Sequence, residues 1–176
     1  MTLYPALPAS IDANHAEAIV QRLISGENTG WMMKSSVSHH PLWCVRFTLK
    51  SRSLGHLLPS SFTVMVDGVS ATGHMVADRK LESALTKATG TDTFPTAKPH
   101  REPVIDADKA EHIARSVAEA ALRKRAKLGM SFNLTTDETI LVLKPNWVIS
   151  ATSKQARTRL LIDGFTGTHY VISYEQ

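Results

Sequence analysis

Cys44 follows His39 and His40 by five and four positions. A thiol beside an imidazole is the minimum set for nucleophilic catalysis, because the imidazole takes the proton and leaves a thiolate to attack. A working cysteine needs an exposed, electropositive setting. Cys44 stands instead in the middle of an alternating run, Trp43-Cys44-Val45-Arg46-Phe47-Thr48, and its counterpart later in the chain is Val148. A structural role is expected, and a Cys/His enzyme is the lesser alternative. His39 and His40 are also a possible metal pair, but neighbouring side chains on an extended chain point to opposite sides. His15, His56, His74, His100, His112 and His169 complete no ligand spacing with cysteine or carboxylate. Asp67 and Asp163, each followed by glycine, invite a paired-carboxylate mechanism. An aspartate at a turn more commonly bonds its own backbone. Gly68 and Gly73 are followed by His74, so no phosphate-binding loop is formed. No catalytic residue, metal or cofactor is expected. Arg123, Lys124, Arg125 and Lys127 could join Lys154, Arg157 and Arg159 in a nucleic-acid patch. Stacking aromatics are missing nearby, so a solvated helix end is expected and a nucleic-acid-associated protein is kept as the alternative.

The bulk properties fit that restraint. The chain has 176 residues, 43% hydrophobic, with a net charge of +4. The basic excess is the same in both halves, 8 against 6 in residues 1–89 and 12 against 10 in residues 90–176, whereas nucleic-acid binders concentrate it on one face. No apolar run approaches the roughly 18 residues that span a bilayer, and Met1 to Pro8 lacks the basic-then-apolar order of a secretory signal. A lone cysteine forms no internal disulfide. A cytoplasmic protein with no membrane partner is expected.

The elements that must position these residues come in pairs. Residues 11–19 and 105–113 are identical at six of nine positions, at an offset of 94. Pro41 and Trp43 match Pro145 and Trp147 at an offset of 104, and Asp67-Gly68 with Thr72 match Asp163-Gly164 with Thr168 at 96. Asp12 and Asp106 stand where N-caps belong, with Ile11 and Ile105 placed as hydrophobic staples against Ala16 and Ala110. The helices that follow carry single apolar stripes: Ala16, Ile19, Val20, Leu23 and Ile24, then Ala110, Ile113, Ala114, Val117 and Ala118. Gly26 is expected to stop the first helix, and the second to run to about Gly129. Trp43 to Thr48 and Trp147 to Thr152 alternate as strands, with each Trp anchoring sheet against helix. Phe62–Val66 and Arg159–Ile162 run into Asp-Gly turns, and Met75–Ala77 and Tyr170–Ser173 return. Ser131–Leu134 and Thr139–Leu143 read as further strands, Trp31-Met32-Met33 as another, and Asp78–Thr89 as a short helix. Pro95, Pro99 and Pro103 mark a linker.

The expected fold is therefore α+β: two repeated units, each an N-terminal helix packed on an antiparallel β-sheet. Residues 1–89 form the first, 90–104 the linker, and 105–176 the second. A half of this size buries only a modest core, so the two are expected to pack together, side by side or face to face.

A helix, a Trp-bearing strand and a hairpin reading Leu161-Ile162-Asp163-Gly164-Phe165-Thr166-Gly167 resembles the PepSY-type unit. The first half departs at Ala71, where the second glycine would stand. The pattern is also similar to small cytosolic immunity proteins of bacterial toxin systems. That resemblance implies binding and inhibition of another protein, a toxin effector domain, without catalysis. The basic pI departs from the acidic balance of nuclease inhibitors and speaks against nucleic-acid mimicry. A partner surface is expected where the halves diverge. The insertion Lys50 to Ser61 carries Leu54, His56, Leu57 and Leu58, the expected partner contacts, unless its leucines fold back as a lid on the core.

Overall fold

The computed structural model describes residues 2–24, 30–50, 61–76, 79–88, 95–125 and 132–175. It is a mixed α+β protein. A six-stranded, wholly antiparallel sheet has the order β4-β3-β2-β6-β7-β8. Its centre is a pair of very long strands, β2 (Met32–Lys50) and β6 (Asn133–Thr152), zipped from Met32↔Thr152 to Lys50↔Asn133 with one bulge between Arg46 and Phe47. Each continues outward through a hairpin: β3 (Ser61–Asp67) and β4 (Gly73–Met75) on one side, β7 (Arg157–Asp163) and β8 (His169–Glu175) on the other. The halves thus meet side by side. The expected segments at Trp31–Met33 and Trp43–Thr48 become one strand from Met32, and those at Ser131–Leu134, Thr139–Leu143 and Trp147–Thr152 become one from Asn133, Ser131 lying outside the described residues. Pro41 and Pro145 lie inside these strands, although a proline lacks the N–H that a ladder uses.

Helix α1 (Ala13–Ile24) begins at the Asp12 cap, whose Oδ1 accepts the His15 N–H at 2.8 Å. Helix α3 (Ala107–Arg125) begins likewise, Asp106 Oδ1 accepting from the Lys109 N–H at 2.9 Å. Both helices lie on one face of the sheet, each over the strands of the other half. Ile11, Ala16 and Val20 pack on Ile149, Ala151, Leu160 and Ile162 of β6 and β7. Ala110, Ala114, Ala118 and Leu122 pack on Val45, Phe47, Phe62, Val64 and Val66 of β2 and β3. This corrects the expectation that each helix covers its own sheet. The tryptophans explain the exchange. Trp147 Nε1 donates to Ile11 O at 2.7 Å, and Trp43 Nε1 donates to Ile105 O at 3.1 Å, so each strand holds the staple residue of the opposite half. The backbone adds to the same joints: Ser10 and Ile11 N–H groups bond Gly164 O, and the Val104 N–H bonds Gly68 O.

The other face is covered by α2 (Arg79–Ala88) and the N-terminal segment. Leu81 and Leu85 pack with Leu7 on Leu42, Cys44 and Val142. Strand β1 (Tyr4–Pro5) pairs with β5 (Thr96–Ala97), and Ala6 bridges to Leu143. The expected linker is therefore fastened where it is described, His100 N–H bonding His39 O at 2.7 Å as well.

The two hairpin turns share one chemistry. Asp67 Oδ1 accepts the N–H groups of Val69 and Ser70, and Asp163 Oδ1 those of Phe165 and Thr166. Ala71, at φ 57°, occupies the same left-handed conformation as Gly167 at φ 73°. The departure at Ala71 changes the residue and leaves the backbone shape, at a cost of about 1 kcal/mol.

Candidate functional site

The residues that invited a chemical reading are spent on structure. Cys44 is buried on the α2 face. Burial pushes its thiol up to about 12, the nearby Arg46 pulling it down and Glu138 pushing further up. His40 lies four residues away on the same extended strand, about 13 Å of chain, and its Nε2 is 2.8 Å from Asp67 Oδ2. Burial lowers His39. The dyad with Cys44 is not assembled. Asp67 and Asp163 each have both oxygens engaged, Oδ1 by the turn and Oδ2 by a side-chain nitrogen, His40 Nε2 for one and the Lys144 ammonium for the other. Burial pushes both carboxyls up, and the backbone N–H groups together with His40 and Lys144 outweigh it, so both lie below the usual carboxylate range. Among the described residues no group of three or more His, Cys, Asp or Glu is placed to hold a metal.

Among the described residues the basic side chains are not brought together either. Arg123 pairs with Glu119 within α3. Leu122 beside it packs with Leu134 at the start of β6, whereas Arg159 stands opposite Ser150 near its end, roughly 50 Å of extended chain away. Lys127 and the expected contacts Leu54, His56, Leu57 and Leu58 lie outside the described residues, as does Gly26.

An open surface lies at the β8 edge of the sheet. At the other edge β4 is met by α3: a Cβ added to Gly73 would lie 3.0 Å from Val117 and 3.3 Å from Ile113. Helix α1 packs on β6 and β7. All seven residues of β8 are exposed, among them Tyr170 (59%), Val171 (63%), Ile172 (52%) and Tyr174 (57%). Between the last turn of α1 and this strand lies a cleft of about 770 Å³, walled mainly by Leu23, Ile24, Trp31, Leu160, Val171 and Tyr174, with Gln155, Thr158 and His169 also lining it. That volume and lining are of the kind that accepts apolar groups. The indole Nε1 of Trp31 is buried and meets no acceptor among the described residues, unlike those of Trp43 and Trp147. Of the Trp31-Met32-Met33 run, Met33 packs under α1 and Met32 is exposed.

The sequence marks β8 only weakly. Tyr170-Val171-Ile172-Ser173-Tyr174 lacks a clean apolar–polar alternation, which suits a strand with neither face dedicated to the core. Its place at the edge depends on strand order, which no local pattern carries. No helix of the described residues is long and apolar enough to cross a membrane. No family model, curated protein or solved structure matches the chain.

Proposed function

We propose that this chain is a non-catalytic protein-binding module whose partner surface is the β8 edge with its adjoining cleft. The observation that carries it is a seven-residue edge strand exposed throughout, four of whose residues are large and apolar. Contiguous apolar surface on a folded chain marks an interaction site, and an unguarded edge is a liability that folds otherwise suppress.

We further infer that the framework arose by duplication. The same indole-to-carbonyl bond, Asp-Gly turn and capped helix occur once per half. The 104-residue offset carries His40 onto Lys144, and the register of β2 with β6 places those two residues opposite each other, as a two-fold axis through the sheet centre requires. The hairpin likeness to PepSY-type units makes a cytoplasmic immunity protein that occludes a toxin the specific form proposed.

The test compares what immobilised wild-type protein retains from cell extract with what a Val171→Lys/Tyr174→Lys variant retains. A partner bound by the first, lost at least tenfold by the second and reconstituted from purified components supports the proposal. Retention indifferent to the two substitutions removes it.

A further inference from the structure

We propose that β8 receives an extended segment of the partner as an added strand, and that this segment alternates apolar with acidic residues. The proposal rests on the protein-binding function above and specifies its mode.

The first support is the state of the two sheet edges. A terminal strand presents a row of backbone N–H and C=O groups that an incoming chain can pair. Natural edges are blunted by shortness, lysine, proline or cover. At one end of this sheet β4 has only three residues and lies under α3. At the other, β8 has seven residues with neither lysine nor proline, and none is buried. Of the usual devices it has a bulge, where the register with β7 shifts between Arg159 and Leu160, and one charged residue, Glu175, at its end.

The second is the chemistry of the two faces. Val171 and Tyr174 stand opposite Leu160 and Thr158, on the face that α1 covers, and both line the cleft, whose walls are mostly apolar with His169, Thr158 and Gln155 among them. Side chains of an added strand pointing that way enter apolar surroundings. On the opposite face Ser173 and Glu175 stand against Arg159 and Arg157, both exposed, with exposed Lys154 in the turn before them. Three cations and one carboxylate leave that face positive, so side chains pointing there are complemented by acids.

The third observation decides between a foreign strand and a second copy of this chain. The bulge puts Val171 and Tyr174 on the α1 face and Tyr170 and Ser173 on the other. Antiparallel self-pairing about a two-fold axis at Ile172 would oppose Val171 with Ser173 and Tyr170 with Tyr174. Residues directly opposite in a ladder must share a face, and these do not. Self-pairing stays in step only over the few residues to one side of the bulge. A foreign strand carries no symmetry constraint.

The test uses the full chain and a fluorescein-labelled ten-residue peptide alternating leucine and glutamate, read by anisotropy at low salt. Three further peptides accompany it: one with lysine for glutamate, and two N-methylated at alternate amides, one along each edge. Binding of the Leu/Glu peptide at least tenfold tighter than the lysine version, lost at least tenfold on methylation of one edge, with new hydrogen-exchange protection on β8 amides, supports the proposal. A Val171→Lys chain should lose the binding with its melting midpoint unchanged; if it melts early, the methylated peptides decide alone. Equal affinity for acidic and basic peptides, or indifference to methylation, overturns it. So does a concentration-dependent dimer by sedimentation that Val171→Lys abolishes. Should a purified partner bind through Val171 and Tyr174 while methylated and unmethylated peptides behave alike, strand addition falls and the protein-binding function stands.

Discussion

Replacing Gly164 by alanine should cost far more than the same change at Gly68. The two glycines follow the equivalent aspartates and approach equivalent prolines. A Cβ at Gly164 would lie 2.3 Å from Pro145 O and 3.0 Å from its carbonyl carbon. At Gly68 the nearest atom, Pro41 O, is at 3.0 Å. Ordinary contact begins near 3.4 Å, so the first site must open by about 1 Å and the second by a few tenths. Neither clash is with a flexible side chain. Opening at Gly164 disturbs three hydrogen bonds: its own N–H to Pro145 O at 3.1 Å, and those of Ser10 and Ile11 to its carbonyl at 2.9 and 3.0 Å. At about 1 kcal/mol each, that is roughly 2–4 kcal/mol, less about 0.5 kcal/mol for the stiffer unfolded chain. At Gly68 strain and chain stiffening nearly cancel, leaving at most about 1 kcal/mol. Urea unfolding followed by tryptophan fluorescence reads the difference, since Trp147 bonds Ile11 at the same joint. With a slope near 2 kcal/mol/M, Gly164→Ala should lower the midpoint by about 1–2 M and Gly68→Ala by about 0.5 M or less. Equal midpoints, or the reverse order, would refute the view that the α1 joint is fixed by backbone contact between Gly164 and Pro145.

Other outcomes follow from the same geometry. Trp147→Phe and Trp43→Phe each remove one indole bond to a helix-entry carbonyl and should each cost about 1–2 kcal/mol, whereas Trp31→Phe, whose N–H has no acceptor among the described residues, should be neutral or stabilising by urea titration. The Cys44 thiol, pushed from its ordinary 9.0 to about 12, should resist a thiol-disulfide reagent at pH 8 until urea is added; labelling at the unfolded rate without urea contradicts its burial. The unfolded chain loses that proton above pH 9 while the native one keeps it, so this contribution to stability falls between pH 9 and about 12, by up to about 1.4 kcal/mol per pH unit. Asp67 and Asp163 are held low in the fold, so their stabilisation is full above the ordinary carboxylate value of 3.8 and is lost as pH falls through their depressed values. Lys144→Met should therefore raise the midpoint of acid unfolding, and the same change at exposed Lys34 should not, as read by circular dichroism from pH 6 to 2.

Much of the local structure was legible because its physics is local. Asp12 and Asp106 cap helices because a short acceptor meets free N–H groups three residues on. Ala110, Ala114 and Ala118 face the sheet because they recur at helical spacing. Asp67 and Asp163 make turns because a carboxylate reaches the next two or three N–H groups. The long strands were less legible. Pro41, Pro145 and the polar run from Lys34 to His40 break every pattern that a strand is recognised by, and their continuity is imposed by pairing with each other.

By itself, the sequence determined where α1 and α3 start, which of their faces is buried and where the hairpins turn, since caps, stripes and Asp-Gly turns act over a few residues. Only the tertiary structure decided which segments meet. That Ile11 belongs under Trp147 rather than Trp43 is a contact across 136 residues, chosen by the packing of whole helices on a shared sheet. That β8 is an open edge while β4 is a covered one follows from strand order and from Ile113 and Val117 of α3 lying against Gly73. Burial and exposure belong to the assembled fold, because a strand's own residues do not state what lies beside it.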